Sequence, residues 1–110
     1  MLNKQNRLSL RTERVRLEKT GQTRHSSLFI VIVAPSSQGE AAFPRFALLV
    51  SKKLAPLSVE RHRLKRLITE IIRLNLNEFP QGKDILVIPK KNSLSAPREQ
   101  ILTDLKQLCS

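Results

Sequence analysis

The amino-acid sequence predicts one small α/β domain, of the α+β kind, in which helices pack on a central sheet. Three short apolar runs have the length and composition of strands, and longer stretches carry apolar residues at helical spacing. A chain of 110 residues suits one domain with a modest core, and we expect that domain to span residues 1–110. The predicted element order is α-β-β-(β)-α-β-α, with at least three strands in the sheet.

The first predicted element is a short helix near the N-terminus. Ser9 or Thr12 can cap this helix, and Gly21 is well placed to end it after about Lys19. Its apolar residues form only a thin face, so its order should depend on the rest of the fold. These residues are Leu8, Leu10, Val15 and Leu17.

Two apolar runs follow the first helix. Residues 27–34 include four consecutive β-branched residues, which crowd a helix and suit a pleated sheet, so we expect a central strand there. Residues 35–44 are rich in Pro, Ser and Gly and indicate a loop. Residues 46–50 form the next apolar run. We expect this run to return antiparallel to the first strand, as a hairpin with a long connection.

A long helix is predicted from about residue 59 to residue 76. Pro56 disfavours helical geometry at Ala55, and Ser58 can cap the free amides of the helix. At helical spacing the side chains of this helix fall on two faces, which we call arcs. One arc should pack against the rest of the fold, and the other must face solvent or a polyanion. The packing arc holds Leu64, Leu67, Ile68, Ile71 and Ile72, and the other holds Arg61, His62, Lys65, Arg66, Thr69 and Arg73.

A strand at residues 84–89 and a C-terminal helix complete the predicted fold. A strand, a helix and a second strand imply a parallel pair with the helix crossing over, and such connections are usually right-handed. Ser93 or Ser95 can cap the final helix, with Pro97 in its first turn. The residues directed inward are Ile101, Leu102, Leu105 and Leu108.

The balance of charge narrows the possible functions. Twenty Lys and Arg residues stand against nine Asp and Glu, and the resulting net charge of +11 favours a nucleic-acid partner. The longest apolar run is far shorter than the ~20 residues of a spanning helix, and the N-terminus lacks the apolar core of a signal peptide. We therefore expect no membrane association and a cytoplasmic location. The single cysteine, Cys109, permits no internal disulfide and fits a reducing compartment.

Basic residues are concentrated around the start of the long helix. Six of them fall between residues 52 and 66, and Glu60 is the only acidic residue among them. They repel one another unless salt or a partner neutralises them. A solvated helix face would explain an isolated charge run, but the charge of the whole chain favours a phosphate backbone as the partner. The six are Lys52, Lys53, Arg61, Arg63, Lys65 and Arg66.

No group of side chains has the pattern of a protein active site. His25 and His62 lie far apart in sequence, and no motif around Cys109 indicates an activated thiolate or a zinc site. Glu60 and Glu70 are separated by about 15 Å on one helix, too far to act on one bond. We expect no catalytic side chain, no metal ligand and no bound cofactor. With four Phe and no Tyr or Trp, any binding of nucleic acid should be mostly electrostatic.

The stretch around this basic cluster resembles the bacterial ribonuclease P protein component. The signature of that family is an apolar strand ending in Ser-Lys-Lys, a connector, and a helix opening Arg-Asn-Arg-x-Lys-Arg, often followed by Glu. This chain has Ser51-Lys52-Lys53, then Arg61-His62-Arg63-Leu64-Lys65-Arg66, then Glu70. His62 stands where the family usually has Asn. The opening Leu-x-Lys-x-x-Arg-Leu of the family at residues 2–8 and its Gly-x-Asp at residues 82–84 extend the resemblance over nearly the whole chain.

The resemblance implies a role in maturing the 5′ end of transfer RNA. The chain would then be the protein subunit of a ribonucleoprotein endoribonuclease. In that enzyme a large RNA performs the hydrolysis, and Mg²⁺ is held mainly by RNA phosphates. The partners would be this catalytic RNA and precursor tRNA, and the protein would be a monomer within the complex. The family also has a left-handed crossover between its parallel strands, and we expect that hand here against the general rule.

Site residues follow from the resemblance by position. The surface that binds the catalytic RNA would comprise Lys52, Lys53, Arg61, His62, Arg63, Lys65 and Arg66. In the family, a cleft between the first helix and the sheet holds the single-stranded leader of the precursor. Here its residues would be Arg14, Arg16, Glu18, Phe29 and Arg45. Arg14 and Glu18 stand where the family usually has phenylalanines, so we expect a surface ion pair in place of two rings.

Without the resemblance, the residues leave two other functions open. A generic RNA-binding or ribosomal-type protein would have the same charge and no role in cleavage. A basic protein that compacts DNA would bind duplex DNA more tightly than structured RNA.

Overall fold

The computed structural model describes residues 2–110, which form three α-helices and a four-stranded sheet. The helices are α1 (Leu10–Thr20), α2 (Ser58–Leu74) and α3 (Arg98–Cys109). The strands are β1 (Gln22–His25), β2 (Phe29–Pro35), β3 (Arg45–Leu48) and β4 (Lys83–Pro89). Short 3-10 turns lie at Lys4–Asn6, Leu76–Glu78 and Lys91–Leu94. The α+β class is confirmed, and β1 is the additional strand of the predicted order.

The strand order in the sheet is β1-β2-β4-β3. The strand β2 pairs antiparallel with β1 and β4, so its predicted central position is confirmed. The predicted hairpin between β2 and β3 is wrong, because β4 lies between them. Residues Ile85, Leu86 and Val87 are buried, which requires cover on both faces of β4 and favours a central place in the sheet. The shorter β3 takes the edge instead.

The strands β3 and β4 are parallel and are connected through α2, as predicted. Phe46 lies opposite Ile85, and Leu48 lies opposite Val87. The left hand of this connection stays a prediction that comes from the family resemblance.

The two faces of the sheet are covered by different helices. On one face, α2 and α3 pack over β-strand residues such as Phe29, Val31 and Ile85. On the other face, Leu17 of α1 packs over Ile32, with a smaller set of buried residues around them. The apolar arc of α2 is confirmed: Leu64, Ile68, Ile71 and Ile72 are buried and Leu67 is partly buried. The basic arc of α2 therefore faces outward.

The junction between α1 and the sheet requires a glycine. A Cβ atom on Gly21 would lie 2.5 Å from the carbonyl oxygen of Leu17 and 2.6 Å from a methyl group of Ile32. Gly21 has a φ of −85°, so the requirement is steric and not conformational. The predicted helix end at Gly21 is confirmed, and its reason is the close approach of α1 to β2.

The free edge of β3 is covered by the chain before α1. The backbone N–H of Leu8 donates to the carbonyl of Phe46 over 2.9 Å, and the buried Asn6 side chain donates to the carbonyl of Pro44 over 2.9 Å. This segment therefore continues the sheet past its last strand. Covering an edge in this way removes unpaired backbone groups that would otherwise invite association.

Several predicted helix caps are wrong. Leu57, not Ser58, precedes α2, because the Leu57 carbonyl already accepts hydrogen bonds from the N–H groups of Glu60 and Arg61. Pro97 precedes α3, while Ser93 lies in a separate 3-10 turn and donates to the Lys90 carbonyl over 2.6 Å. Ser9 does precede α1, but its hydroxyl makes no capping hydrogen bond.

A buried carboxylate ties α1 to the sheet. The Asp84 side chain on β4 has no exposed surface and accepts two hydrogen bonds from Arg45 on β3, at 2.8 Å and 2.7 Å. Arg16 of α1 also donates to this carboxylate. The Nε of Arg16 bonds Glu13 over 2.6 Å, and its Nη1 bonds the Pro35 carbonyl over 3.0 Å. We call Glu13, Arg16, Arg45 and Asp84 the Asp84 cluster.

The cluster keeps its buried acid ionised. Burial by itself raises the pKa of Asp84, but the hydrogen bonds and charges of Arg45 and Arg16 outweigh that effect and hold the pKa below its ordinary value. The pKa of Arg45 is raised, first by its hydrogen bond to Asp84. A carboxylate with a lowered folded-state pKa stabilises the fold above its unfolded pKa of about 3.9, and that contribution is lost as pH falls through the folded value.

We predict that Asp84→Asn lowers the free energy of unfolding by about 3 kcal/mol at pH 7, because it leaves partly buried arginine charges without their partner. The loss relative to the natural protein should start to shrink below about pH 3.9, where this carboxylate binds a proton in the unfolded chain, and should shrink further as pH falls toward the lowered pKa of folded Asp84. Urea unfolding at pH 7 and pH 3 measures both effects. Asp104→Asn on α3 is the matched control, since Asp104 has no ion pair within residues 2–110. Equal stability of the two variants at pH 7 would contradict the role of the cluster.

Candidate nucleic-acid interface

The connector between β3 and α2 presents the first two basic residues. The Oγ of Ser51 accepts a hydrogen bond from the N–H of Leu54 over 3.1 Å, which closes a turn around Lys52 and Lys53. Both lysines are exposed, whereas Ala55 after them is fully buried. The turn is therefore held in the core through Ala55, and the charges of Lys52 and Lys53 face outward.

Arg61 joins the connector to the start of α2. Its Nη1 donates to the carbonyls of Ala55 and Pro56, each over 2.9 Å. Arg61 is half-buried, unlike its basic neighbours on α2. This side chain has a structural role in addition to the RNA contact predicted for it.

The other basic residues form one exposed surface, which we call the basic face. None of its side chains forms an ion pair with a carboxylate in the part of the chain that the structure describes. Its charges therefore remain available to an anion, and their mutual repulsion falls when one binds. The basic face consists of Lys52, Lys53, His62, Arg63, Lys65 and Arg66.

A groove of about 380 Å³ runs beside the basic face, between the N-terminal segment, β3 and α2. Its floor is apolar and its rim is basic, and among the described residues that line it none is acidic. We call it the basic groove. Phe46 in its floor is buried and packs edge to face against Phe79, so it offers no free ring for stacking. The lining comprises Leu2, Arg7, Leu8, Leu10, Phe46, Ala47, Leu48, His62, Lys65, Arg66 and Thr69.

Arg7 is a site residue that the sequence reasoning missed. It is exposed on the rim of the basic groove, opposite the charges of α2. Its backbone bridges to Phe46 at the edge of the sheet, which brings residue 7 next to residues that follow it by about 40 positions. The only signal in the sequence was its place in the opening Leu-x-Lys-x-x-Arg-Leu pattern.

The ion pair expected on α1 is present. The Nε of Arg14 lies 3.2 Å from Oε1 of Glu18, and about half of each side chain is exposed. A pair of this kind is worth roughly 0.3–0.5 kcal/mol on a helix. A polar surface therefore occupies the two positions where the family resemblance leads one to expect rings.

The five residues predicted for a leader cleft do not line one common surface. Phe29 is fully buried on the face of the sheet that α2 and α3 cover, opposite to α1. Arg16 and Arg45 are engaged by Asp84 in the Asp84 cluster. Their guanidinium groups both donate to this buried carboxylate, and Arg16 also pairs with Glu13. Of the five predicted residues, Arg14 and Glu18 are the exposed ones, and both lie on α1.

The described residues include no metal-binding cluster, no reactive thiol and no membrane-spanning helix. Across residues 2–110, no three side chains of His, Cys, Asp or Glu lie close enough to hold a metal ion. Cys109 is buried on α3, and burial raises the pKa of its thiol to about 12, which keeps it protonated and unreactive. No α-helix within the described range has the length and apolar character needed to cross a membrane.

Comparison with known sequences gives a single family. The family model described as Ribonuclease P matches residues 2–110. The chain is 37% identical to the ribonuclease P protein component of Finegoldia magna over 83% of its own length and 76% of that protein. It is 32% identical to the ribonuclease P protein component of Syntrophus aciditrophicus, over 94% of this chain and 84% of that one.

Solved structures show the same fold. The RNase P protein from Thermotoga maritima superposes with a TM-score of 0.82 at 27% identity, covering 94% of both chains. The RNase P protein of Staphylococcus aureus superposes with a TM-score of 0.77 at 25% identity, covering 94% of this chain and 91% of the other. The α+β architecture derived above is therefore shared over nearly the whole length.

Proposed function

Because the chain belongs to the ribonuclease P protein family, we propose that the basic face binds the catalytic RNA. Members of this family are subunits of an endoribonuclease that processes transfer RNA, so this chain is a partner of the RNA subunit of that enzyme. The observation that carries this proposal is the set of exposed basic side chains on α2 and its connector, which have no ion-pair partner within residues 2–110. Phosphates are the anions that such a surface fits best.

The fold supports this assignment in a second way. Four apolar residues of α2 are buried, and their packing fixes the rotation of the helix about its axis. The basic arc on the other side of the helix therefore faces solvent. Arg61 fixes the connector to the first turn of α2, and Lys52 and Lys53 therefore keep a set position beside that arc. A rigid array of charges loses little conformational entropy when it binds a structured RNA.

We propose that the basic groove holds part of the single-stranded leader of precursor tRNA. Its apolar floor suits the edge of a base, and Arg7 and Lys65 on its rim suit the backbone phosphates. The groove has no exposed aromatic ring, so the leader is held by charge more than by stacking. By the family resemblance the leader also passes α1, where Arg14 is exposed beside Glu18.

Four further statements belong to the same proposal. The RNA subunit carries out the hydrolysis, and Mg²⁺ is held mainly by RNA phosphates, as the family resemblance implies. Residues 1–110 act as one RNA-binding domain. One copy of the protein serves each complex, and the complex works in the cytoplasm. The family resemblance and the positive charge of the chain support these statements.

We predict that the protein restores cleavage of precursor tRNA by the catalytic RNA at a Mg²⁺ concentration too low for the RNA alone. Neutralising RNA phosphates with protein charge reduces the need for Mg²⁺. The measurement is single-turnover cleavage with and without protein, and a ribosomal protein of similar charge is the control. Cleavage equal to that of the control would favour a generic RNA-binding protein. Tighter binding to duplex DNA than to this RNA would favour a DNA-compacting protein.

A second prediction concerns one residue of the basic face. Arg63→Ala should weaken binding to the catalytic RNA and lower the slope of log affinity against log salt by roughly one unit or less, because one phosphate contact is lost. The melting temperature should stay unchanged, since Arg63 is exposed. Lys106→Ala removes the same charge from α3, where Lys106 pairs with Glu78, and is the control. An unchanged affinity with a melting temperature several degrees lower would make Arg63 structural.

A third prediction concerns the polar pair on α1. The natural protein should prefer precursor over mature tRNA only modestly, and salt should reduce that preference strongly, because charge carries it. The double variant Arg14→Phe, Glu18→Phe should show a larger preference that resists salt. Affinities for both RNAs across a salt series measure this, with Arg14→Ala, Glu18→Ala as the control that removes the pair without adding rings. A large, salt-resistant preference in the natural protein would refute the proposed mode of leader binding.

A further inference from the structure

A depression of about 460 Å³ lies between α2 and α3, next to the basic face. We call it the interhelical depression. Arg66 reaches it from the middle of α2, and Arg98 reaches it from the first turn of α3. Both arginines are exposed. Its lining consists of Arg66, Leu67, Thr69, Glu70 and Arg98.

The charge of the interhelical depression is positive. Within residues 2–110, neither Arg66 nor Arg98 forms an ion pair. Glu70 is the one carboxylate in the lining, and Arg73 already engages it through two hydrogen bonds of 2.6 Å and 3.2 Å. Two guanidinium groups therefore remain without a counter-charge.

Arg98 lies near this carboxylate without pairing with it. The pKa of Glu70 is lowered, first by the hydrogen bond from Arg73 and to a smaller extent by the charge of Arg98. Glu99 follows Arg98 directly in α3, but adjacent helical residues point in different directions, so it does not neutralise Arg98. The charge of Arg98 is thus directed at the depression and open to a further anion.

The interhelical depression is continuous with the basic face. Arg66 also lines the basic groove and a third depression, formed with Ser58, Val59, His62 and Arg63 on the outer side of α2. One side chain therefore borders all three. An RNA backbone that follows the exposed side of α2 would meet Arg66 and then Arg98.

We infer that Arg66 and Arg98 together hold one phosphate of the catalytic RNA in the interhelical depression, so that the RNA-binding surface extends from α2 onto α3. This inference rests on the proposed function of the basic face and adds a residue that no family motif in the sequence includes. Guanidinium groups suit the task because their planar N–H donors match the oxygens of a phosphate.

The test measures the affinity of the protein for a transcript of the ribonuclease P RNA across a salt series. Arg98→Ala should weaken binding about three- to tenfold at moderate salt and lower the salt slope by up to about one unit. Arg98→Lys should retain part of the affinity, since it keeps the charge and loses the planar fork. Lys106→Ala, which removes an equal charge farther along the same helix, should bind like the natural protein. Melting temperatures should agree for all the variants, because both positions are exposed or half-exposed.

Arg66→Ala separates the inference from the proposal beneath it. If Arg66→Ala weakens binding and Arg98→Ala does not, the basic face binds RNA and the inference is wrong. If neither variant weakens binding, the proposed function of the basic face is wrong as well. Equal losses for Arg98→Ala and Lys106→Ala would show an effect of total charge and would also overturn the inference. In the double variant the losses should be less than additive, because the two arginines share one phosphate.

Discussion

The buried carboxylate of Asp84 is the constraint on which the arrangement of this fold depends. A buried charge without partners would cost several kcal/mol, so Asp84 requires guanidinium groups at set positions. Arg45 supplies one of these groups from β3, the strand next to β4. Arg16 supplies the other from α1, which covers the face of the sheet that α2 and α3 leave open. The same contacts hold α1 on the sheet at the end where Gly21 allows the closest approach. The position of α1 is therefore set by charge as much as by apolar packing, since only a small apolar cluster lies beneath it.

The distribution of acidic residues explains how a chain with a net charge of +11 keeps one part of its surface strongly positive. Glu13 and Asp84 are engaged in the Asp84 cluster, and Glu18, Glu70 and Glu78 each pair with one basic side chain. Apart from Glu70, these pairs lie away from the basic face. The basic charges of α2 and its connector are left in excess, and this excess is the part of the surface that an RNA backbone can neutralise.

The helix α2 couples stability to binding through its two arcs. Burial of Ile68 and Ile72 against the sheet fixes the rotation of the helix, and that rotation presents Arg63 and Arg66 outward. A change in the core beneath α2 would therefore move the charges above it. In contrast, an exposed substitution on the basic face alters binding with little effect on the fold, which lets the two roles be measured separately.

The sequence by itself determined the elements whose signals are local. Helical spacing placed α2 and its two arcs, β-branched residues placed β2, and the run Ser51-Lys52-Lys53 with the basic turn of α2 indicated the family. Tertiary structure alone decided the strand order, because pairing joins β2 to β4 across about half of the chain and no local pattern encodes that choice. It also decided the partners of Arg16 and Arg45, which lie 68 and 39 residues from Asp84 and looked like free cations in the sequence. Arg98 likewise lies beside Arg66 of the basic face only because α3 packs next to α2, a contact between segments that the chain separates by a strand.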